Sequence, residues 1–285
     1  MSAQPEAQPY YKFRSYGKPD SDERRWVRDT LFDNWIRFST IADLNDPFEG
    51  KPCMIAAHDP EQQREAVRGL MIREWMAVHN VDRATALQNI EQRYLSAADG
   101  FNAETFQAKL EEIINRMFWI YCVAGTRAPI LMWSHYADGH KGLALHFRRD
   151  VMPFAGALTA IYPDSDEYPQ FRYPVTDQNV GSVANAAIKT KSKCWLYEDE
   201  YRVVRNRTDT NQIDGRWRRD FGLKWNDQLV QVPDTALCGV TLGAGMDAAT
   251  AKDLTKELAE KRPQIEVWRA RRNRTKYELI FDQVR

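Results

Sequence analysis

The sequence predicts an α+β domain with a mixed or split central β-sheet and a helical insertion. Short segments with the residue pattern of strands lie on both sides of residues 58–118. Residues 58–118 themselves are rich in Glu, Gln, Arg and Ala, with apolar residues at helical spacing. A chain of 285 residues can bury a large core. We therefore expect a disordered N-terminus over residues 1–9 and a single catalytic-type domain over 10–285, with the insertion at about 58–118.

The chain opens with a predicted strand, helix and second strand. Residues 10–16 are rich in aromatic side chains, and Gly17 ends the predicted strand. Ser21 is a suitable N-cap for the helix, and an apolar stripe that includes Val27 and Leu31 faces inward. Residues 35–41 then return as a strand.

A polar corner follows at residues 43–50. Pro47 favours extended backbone before it, and Asn45 and Asp46 favour local turns. Asn45, Asp46 and Glu49 either face a ligand or only satisfy their own backbone.

A second block of polar residues follows the buried strand predicted at 118–123. We expect one helical turn at 132–137 and a strand at 143–147. His135 and His140 are five residues apart, which is not the spacing of zinc ligands on a helix, so no metal is predicted. His135 and Tyr136 either contact a ligand or make structural hydrogen bonds.

The later chain alternates loops and regular elements. We expect an irregular loop at 162–178, a short helix at 183–190, strands at 235–242, 264–269 and 276–281, and a helix at 247–261.

Residues 194–204 are predicted to form the strand that carries the chemistry. Alternation places Glu198, Glu200 and Arg202 on one face, with the two carboxylates about 6 to 7 Å apart. Like charges on one strand face repel, which makes the pair unusual. The alternative is a solvated edge with Glu200 and Arg202 as neighbours.

Composition excludes several classes of protein. The 40 basic and 40 acidic residues cancel, so no global field attracts nucleic acid or membrane. Residues 202–224 carry seven Lys or Arg against three Asp, and residues 261–276 carry seven against one Glu. These runs, near Arg205 and Arg271, are either solvated faces or surfaces for a polyanion.

The cysteines and the ends of the chain indicate a cytoplasmic location. Four widely spaced cysteines predict neither a zinc ribbon nor a disulfide framework. The N-terminus lacks the apolar stretch of a signal peptide, and no segment has the length and apolarity of a membrane span. Oligomeric state is not indicated.

Four motifs together resemble a bacterial family named only as a domain of unknown function, DUF 2971. They are the opening Tyr-Lys-Phe-Arg strand, the Asn-Asp-Pro-Phe-Glu corner, the Trp-Ser-His-Tyr-Ala-Asp block with its later His-Lys-Gly, and the Trp-x-Tyr-Glu-x-Glu-Tyr-Arg segment. Here they occupy residues 11–14, 45–49, 133–142 and 195–202. The resemblance spans residues 10–281 but matches the helical insertion poorly, and it implies no particular reaction.

A looser resemblance is to ADP-ribosyltransferases of the arginine-serine-glutamate type. That family places a basic residue on its first strand, a Ser-Thr pair on its second and Glu-x-Glu on a later one. The corresponding residues here are Arg14 or Lys12, Ser39 and Thr40, and Glu198 with Glu200; Ile41 stands where the family has a further serine. The resemblance implies an ADP-ribosyltransferase-like fold with NAD as substrate.

Chemistry suggests a role for each residue in such an enzyme. Breaking the nicotinamide–ribose bond develops positive charge on the sugar, which Glu200 would stabilise while Glu198 orients or deprotonates the nucleophile. Arg14 would bind the pyrophosphate and Ser39 would steady the ribose or the carboxylate. Tyr136 or Trp133 would stack on nicotinamide, with Asn45 and His135 at the rim.

The prediction is therefore an NAD-dependent ADP-ribosyltransferase or NAD-cleaving effector, in bacterial antiviral defence or as a toxin, with a nucleic-acid or protein acceptor held by the basic runs. The alternatives are a metal-dependent nuclease or phosphodiester hydrolase, which would use Asp46, Glu49, Glu198 and Glu200 as ligands, and a non-catalytic interaction module.

Overall fold

The computed structural model describes residues 8–51, 53–55, 60–94, 103–165, 167–168, 170–172, 180–206 and 223–285. Most of the predicted disordered N-terminus lies outside the described residues. The same holds for the last part of the loop predicted at 162–178 and for most of the basic run at 202–224.

The described residues form seven α-helices. They are α1 Asp22–Asp33, α2 Pro60–His79, α3 Arg83–Tyr94, α4 Ala103–Met117, α5 Ile130–Tyr136, α6 Val180–Lys189 and α7 Ala248–Lys261. Helices α2, α3 and α4 occupy the region where the sequence predicts the helical insertion.

The strands form one large and two small sheets. They are β1 Tyr10–Arg14, β2 Trp35–Arg37, β3 Ser39–Thr40, β4 Cys53–Ile55, β5 Phe118–Ala124, β6 Leu143–Phe147, β7 Leu158–Thr159, β8 Gln170–Arg172, β9 Glu200–Asn206, β10 Lys224–Asn226, β11 Leu229–Gln231, β12 Leu237–Leu242, β13 Glu266–Arg272 and β14 Leu279–Gln283. The large sheet has the order β14-β13-β12-β6-β1-β5-β9-β7, with β3 also on β5. Strands β12 and β13 are parallel and the other pairs are antiparallel, so the central sheet is mixed. This architecture is consistent with the predicted α+β class.

Local sequence accounts for the start and end of α1. The Ser21 hydroxyl accepts a hydrogen bond from the Arg24 N–H at 3.3 Å, as expected of an N-cap. Val27 and Leu31 are buried on the inward stripe. Asn34 ends the helix in the left-handed conformation, at φ +60°. The predicted helix is confirmed.

Apolar clusters cover the sheet, and the insertion divides between two of them. Leu110, Ile113 and Ile114 of α4 pack in a cluster with Ile120 of β5. Helices α2 and α3 have a small cluster of their own, formed around Ile72, Ala86 and Ile90. Met71 of α2 packs against the α4 cluster as well, so α4 covers β5 while α2 links it to the small cluster shared with α3.

Two strands share one edge of β5. Tyr11 of β1 lies opposite Ala124 at one end, and Ser39 of β3 lies opposite Ile120 at the other. The second edge of β5 is paired along its whole length with β9. We call the gap between β1 and β3 the wedge. It exists because β1 stays paired with β6 as far as Arg14 instead of following β5.

The strand predicted at 35–41 is wrong in extent. Strand β2 pairs with β11 in a small sheet, and β3 pairs with β5 in the large one. Phe38 lies between them with none of its surface exposed, and its N–H donates to the Gln228 carbonyl at 2.9 Å. Burial of this ring at the junction moves the chain from one sheet to the other.

The strand predicted at 194–204 is wrong over its first half. Residues Lys193–Glu198 form a 3₁₀ helix, and Asp199 has a φ of +44°, which interrupts extended backbone. Strand β9 begins only at Glu200. The two glutamates are therefore not presented by alternation along one strand.

In the part of the chain that the structure describes, none of the helices combines the length and the apolar character needed to cross a bilayer.

Candidate functional site

The wedge opens into a cavity of about 350 Å³. Its lining comes from β1, β3, β5, the polar corner, α5 and the segment that leads into β9. It includes eight of the ten site residues proposed from the sequence: Lys12, Arg14, Ser39, Asn45, His135, Tyr136, Glu198 and Glu200. Residues from three separate parts of the chain, 11–49, 120–136 and 191–200, thus meet at one hollow, whose volume is in the range of small-ligand sites.

Lys191 lies at the centre of a buried carboxylate cluster beside this cavity. Its ammonium is 2.5 Å from Glu198 Oε2, 2.6 Å from Glu200 Oε2 and 3.1 Å from Glu49 Oε1. The ammonium donates hydrogen bonds to Glu198 and Glu200 and forms an ion pair with Glu49.

Arg202 binds the same cluster from the other side. Its Nε donates to Glu200 Oε1 at 2.5 Å, one terminal nitrogen donates to Glu49 Oε2, and the other donates to the Ile188 carbonyl. Tyr136 completes the set because its hydroxyl donates to Glu198 Oε1 at 2.6 Å. Every carboxylate oxygen of Glu49, Glu198 and Glu200 therefore accepts a hydrogen bond or ion pair.

The cluster carries more acidic than basic groups. Three carboxylates face two cations, which gives a formal charge of −1 when all are ionised. Each of the five side chains is at most 5% exposed. Because a buried net charge is unfavourable, the cluster favours either a bound proton or a cationic neighbour.

The pKa values of the glutamates diverge. Burial alone would raise the pKa of Glu200, but Arg202 and Lys191 outweigh it and lower that pKa to about 2. Burial raises the pKa of Glu49 against the opposing effect of Arg202 and Lys191, and it raises the pKa of Glu198 against Lys191 and Tyr136. Glu200 is therefore a fixed anion, and the excess proton is held more readily by Glu49 or Glu198.

Tyr136 connects the cluster to the cavity rim. Burial, followed by the hydrogen bond to Glu198, raises the pKa of its hydroxyl, which thus stays protonated as a donor. The Tyr136 oxygen in turn accepts from Asn45 Nδ2 at 2.8 Å. This chain fixes the orientation of the Glu198 carboxylate from the solvent side.

Basic side chains lie on another part of the cavity wall. Lys12 Nζ donates to the Cys122 carbonyl at 2.7 Å and lies 4.9 Å from the centre of the Tyr121 ring. Burial, and next the charge of Arg14, lower the pKa of Lys12 to about 8. The Cys122 carbonyl lies on β5 between the pairing points of β1 and β3, so Lys12 satisfies a backbone acceptor that the wedge leaves without a strand partner.

Two neighbouring cavities share charged residues with the wedge cavity. A small neighbouring cavity of about 40 Å³ shares Arg14, Arg37 and Ser39 with it. A third cavity of about 270 Å³, toward α6, shares Glu49 and Lys191 instead. Glu23 and Asp43 line the main cavity as well, so its wall carries acidic side chains besides those of the cluster.

Two residues proposed from the sequence do not line the cavity. Trp133 is fully buried, donates from its indole N–H to the Arg127 carbonyl at 2.8 Å and packs edge-on against Phe13. Its predicted contact with a ligand is wrong because the ring is part of the core. The Thr40 hydroxyl is engaged by Asp43 at 2.8 Å and caps the short helix after β3.

His135 lines the cavity within an aromatic group at its mouth. Its ring centre lies 6.3 Å from those of Tyr136 and Trp195 and 6.5 Å from that of Tyr197. His140 instead lies 3.2 Å from the Ser134 hydroxyl, and its ring is stacked on Trp133. The two histidines have different surroundings, and the described residues contain no group of three His, Cys, Asp or Glu placed to hold a metal ion.

Asp46, in the polar corner, acts on its own backbone. Its Oδ1 accepts from the Phe48 N–H at 2.9 Å, and its carbonyl accepts from the Glu49 N–H at 3.2 Å. This turn directs Glu49 inward to Lys191. Of the two interpretations of the corner, the local turn applies to Asp46, whereas Asn45 and Glu49 line the cavity.

Sequence reasoning missed Lys191, the central residue. Lys189, Lys191 and Lys193 alternate and look like a solvated run, yet only 2% of the Lys191 side chain is exposed, against 52% for Lys193. The spacing of two carried no signal, because residues two apart share a face in extended chain; here Lys189 ends α6 and Lys193 begins the 3₁₀ helix, so the three side chains point differently. Tyr162 was also missed; its hydroxyl accepts from the Glu200 N–H at 3.0 Å.

The basic runs are partly neutralised. Arg271 pairs with Asp282 on the adjacent strand. Arg205 donates to the Asp227 carbonyl at 2.8 Å and lies 5.0 Å from the centre of the Trp119 ring. These two side chains are therefore less available to a polyanion than the sequence indicates.

Comparisons of the chain with protein-family models, with curated proteins and with solved structures found no match. The resemblances to DUF 2971 and to ADP-ribosyltransferases stay predictions.

Proposed function

We propose that this chain is an NAD-dependent ADP-ribosyltransferase or NAD-cleaving enzyme that works in the wedge cavity. The observation that carries the proposal is that one cavity is lined both by members of the buried acidic cluster, of formal charge −1, and by Arg14 and Arg37. NAD has a matching distribution: its nicotinamide ring is cationic and its pyrophosphate is anionic.

Glu200 would stabilise the transition state. Cleavage of the nicotinamide–ribose bond places positive charge on the sugar, and an ionised carboxylate beside it lowers the barrier more than it stabilises the ground state. The low pKa of Glu200, held by Arg202 and Lys191, keeps it ionised at any physiological pH. Its position is set by both cations, so little reorganisation accompanies the reaction.

Glu198 would act on the nucleophile. Its raised pKa, which results from burial, brings it closer to the pH at which a general base works well. Tyr136 and Lys191 hold one carboxylate oxygen each. The Tyr136 ring, at the cavity wall, would contact the nicotinamide.

The basic side chains of the cavity would bind the rest of the dinucleotide. Arg14 offers planar N–H donors to the pyrophosphate, and Lys12 adds a second cation. Ser39, on the opposite side of the wedge from β1, would donate to the ribose. Asn45 and His135 would form the rim.

The biological setting follows from the resemblances and the composition. We propose a cytoplasmic bacterial effector that acts in antiviral defence or as a toxin, with a nucleic acid or protein as acceptor. An ADP-ribosyltransferase-like fold is part of this proposal. The pairing of Arg271 with Asp282 favours an acceptor surface elsewhere than that tail.

The metal-dependent nuclease or phosphodiester hydrolase is the less favoured alternative. The Lys191 ammonium contacts all three glutamates at the point where a shared divalent ion would bind. A metal ion there would have to displace a lysine whose pKa the three carboxylates raise, despite the opposing effect of burial.

The test is NAD turnover by the whole chain, measured as nicotinamide release with water and with a panel of nucleic-acid and protein acceptors. We expect release by the natural sequence and a loss of at least about a hundredfold for Glu200→Gln, typical of removing transition-state stabilisation. Glu23→Gln is the matched control, because Glu23 lines the same cavity outside the cluster.

Calorimetric titration with NAD separates lost chemistry from lost folding. A folded Glu200→Gln variant that still binds NAD supports the proposal. Absence of both NAD binding and nicotinamide release in the natural protein, under every acceptor condition, would overturn it in favour of an interaction module.

A further inference from the structure

The cavity of about 270 Å³ toward α6 has no part in the proposed reaction. Its lining includes Phe48, Tyr168 and Ala187, together with Glu49 and Lys191 of the buried cluster, and we call it the α6 cavity. Its volume is close to the lower limit of small-ligand sites. It can therefore hold a small molecule or a single side chain of another molecule.

Phe48 and Tyr168 form an exposed aromatic pair in the wall of the α6 cavity. Their ring centres lie 6.5 Å apart, and 63% of Phe48 and 39% of Tyr168 are exposed. The polar corner supplies one ring, and the segment before β8 supplies the other. A single exposed aromatic residue is ordinary, but two side by side at a cavity present a surface that suits a ligand.

The chain covers several of its other aromatic faces with its own cations. Arg37 lies 4.5 Å from the centre of the Trp26 ring, and a similar contact covers Tyr16. In the described part of the chain, neither Phe48 nor Tyr168 has a lysine or arginine against its ring. The electron-rich faces of this pair are therefore open to a cation from outside the chain.

Asp46 places a carboxylate next to both rings. Its Oδ1 accepts from the Phe48 N–H at 2.9 Å, but its buried Oδ2 has no hydrogen-bond partner among the described residues. Burial raises the pKa of Tyr168, and the charges of Asp46 and Glu111 raise it further. A buried carboxylate oxygen without a partner is unfavourable, and a cation nearby would stabilise it.

Negative charge also predominates in the wall of the α6 cavity. Glu49 and Lys191 bring to it the buried cluster, whose formal charge is −1. Glu167 adds a further carboxylate, and the exposed Lys51 adds one cation. This balance disfavours phosphates and carboxylates as ligands.

The kind of cation follows from the groups that are present. Metal ions such as Mg²⁺ and Ca²⁺ prefer several oxygen ligands. The described residues contain no group of three His, Cys, Asp or Glu that could hold a metal ion. Aromatic faces instead attract weakly hydrated organic cations, above all alkylated ammonium groups.

We propose that the α6 cavity binds an alkylated ammonium group against the rings of Phe48 and Tyr168, with the Asp46 carboxylate as its counter-charge. A cation placed beside the pair lies within about 6 Å of both ring centres, the range over which a ring face attracts it. The group belongs either to a free small molecule or to a methylated lysine of a protein, and its chemistry at the site is the same. Neither ring is part of the described lining of the wedge cavity, so the site is independent of the proposed function.

Titration of the whole protein with choline, followed by ligand-observed NMR, tests the proposal. The neutral isostere 3,3-dimethylbutan-1-ol has the same shape without the charge. It should bind about threefold to thirtyfold more weakly, which is the factor that a cation–π attraction supplies.

Three variants locate the site. Phe48→Ala and Tyr168→Leu should each weaken choline binding by a similar factor. Asp46→Asn keeps an acceptor for the Phe48 N–H but removes the charge, so it should weaken choline binding without affecting the isostere. Tyr277→Ala, at a fully exposed ring, is the control and should leave the affinity unchanged.

Equal affinities for choline and its isostere would overturn the proposal, and so would an unchanged affinity in a folded Phe48→Ala variant. Circular dichroism checks the fold of each variant, and the isostere comparison needs no variant at all. A peptide with one trimethyllysine that binds more tightly than choline identifies a protein side chain as the source of the group. No gain over choline identifies a small molecule. Nicotinamide release from NAD, measured separately, reports on the proposed function alone.

Discussion

Lys191 and Glu198 are seven residues apart in the chain, and the ammonium of the first donates to the carboxylate of the second over 2.5 Å. Both side chains are almost fully buried. The 3₁₀ helix between them turns the chain back, so that the segment folds around its own cation. Glu200 and Glu49 then join the same ammonium from β9 and from the polar corner.

Replacing Lys191 should be strongly destabilising. In Lys191→Met three buried carboxylates would face Arg202 alone, and breaking a buried ion pair costs about 3 to 5 kcal/mol. Urea unfolding followed by circular dichroism measures the loss. Lys193→Met is the matched control, since that side chain is half-exposed and its pair with Asp164 should contribute less than about 1 kcal/mol. Similar effects for the two variants would contradict the assigned role of Lys191.

Removing the Tyr136 hydroxyl should affect both stability and the titration of Glu198. Tyr136→Phe loses one hydrogen bond to a charged group, which corresponds to about 1.5 to 3 kcal/mol. Because that bond lowers the pKa of Glu198, we expect the pKa to rise further in the variant. Carbon-13 NMR of the glutamate carboxyls follows the shift. Tyr277→Phe, on a fully exposed ring, should change neither quantity; an unmoved Glu198 resonance in Tyr136→Phe would argue against the contact.

Acid should weaken the fold through Glu200. The folded pKa of about 2 lies below the ordinary value of 4.5, so the stabilisation is fully present above about pH 4.5 and is lost as the pH falls toward 2. The contributions of Glu49 and Glu198 to stability have the opposite pH dependence, because burial raises the pKa of both residues. Urea midpoints measured between pH 3 and 7 should therefore depend less on pH in Glu200→Gln than in the natural protein. The same pH dependence of the urea midpoint in the two proteins would mean that Glu200 is not held as an anion. Glu260→Gln, on the surface, is the control variant.

The proposed pyrophosphate contact predicts an affinity change at Arg14. Loss of charge-assisted hydrogen bonds in Arg14→Gln should weaken NAD binding about tenfold to a hundredfold with little effect on stability. Isothermal titration calorimetry reports the dissociation constant. Arg25→Gln, an exposed residue of α1 paired with Asp22, should leave it unchanged. Equal affinities for Arg14→Gln and the natural protein would remove Arg14 from the site.

Much of the fold was predictable where local rules act alone. Ser21 as N-cap, the stripe of α1, strand β6 and the helices between residues 60 and 117 all follow from spacing and capping. The break at Phe38 was not predictable, because a single buried ring divides a continuous apolar stretch between two sheets. Strand partners such as β3 with β5 are set by contacts that are distant in sequence.

The candidate site was also only partly predictable from the sequence. Alternation predicted that Glu198 and Glu200 are close, and they are, but through a common ammonium and a residue with positive φ instead of a shared strand face. Lys191 was hidden among neighbouring lysines that differ from it only in burial. Trp133 was assigned to a ligand because aromatic residues stack, although large aromatic side chains are equally suited to a core.

Helices α2 and α3 pack around their own Ile72, Ala86 and Ile90, and neither contributes to the described lining of the wedge. Changes in this hairpin should therefore leave the wedge lining unaltered provided that α2 keeps its contacts with α4, which are Met71 against the α4 cluster and Glu74 paired with Arg116. Evolution can then reshape the outer face of the molecule, and with it the choice of binding partner, while the pocket chemistry is inherited intact.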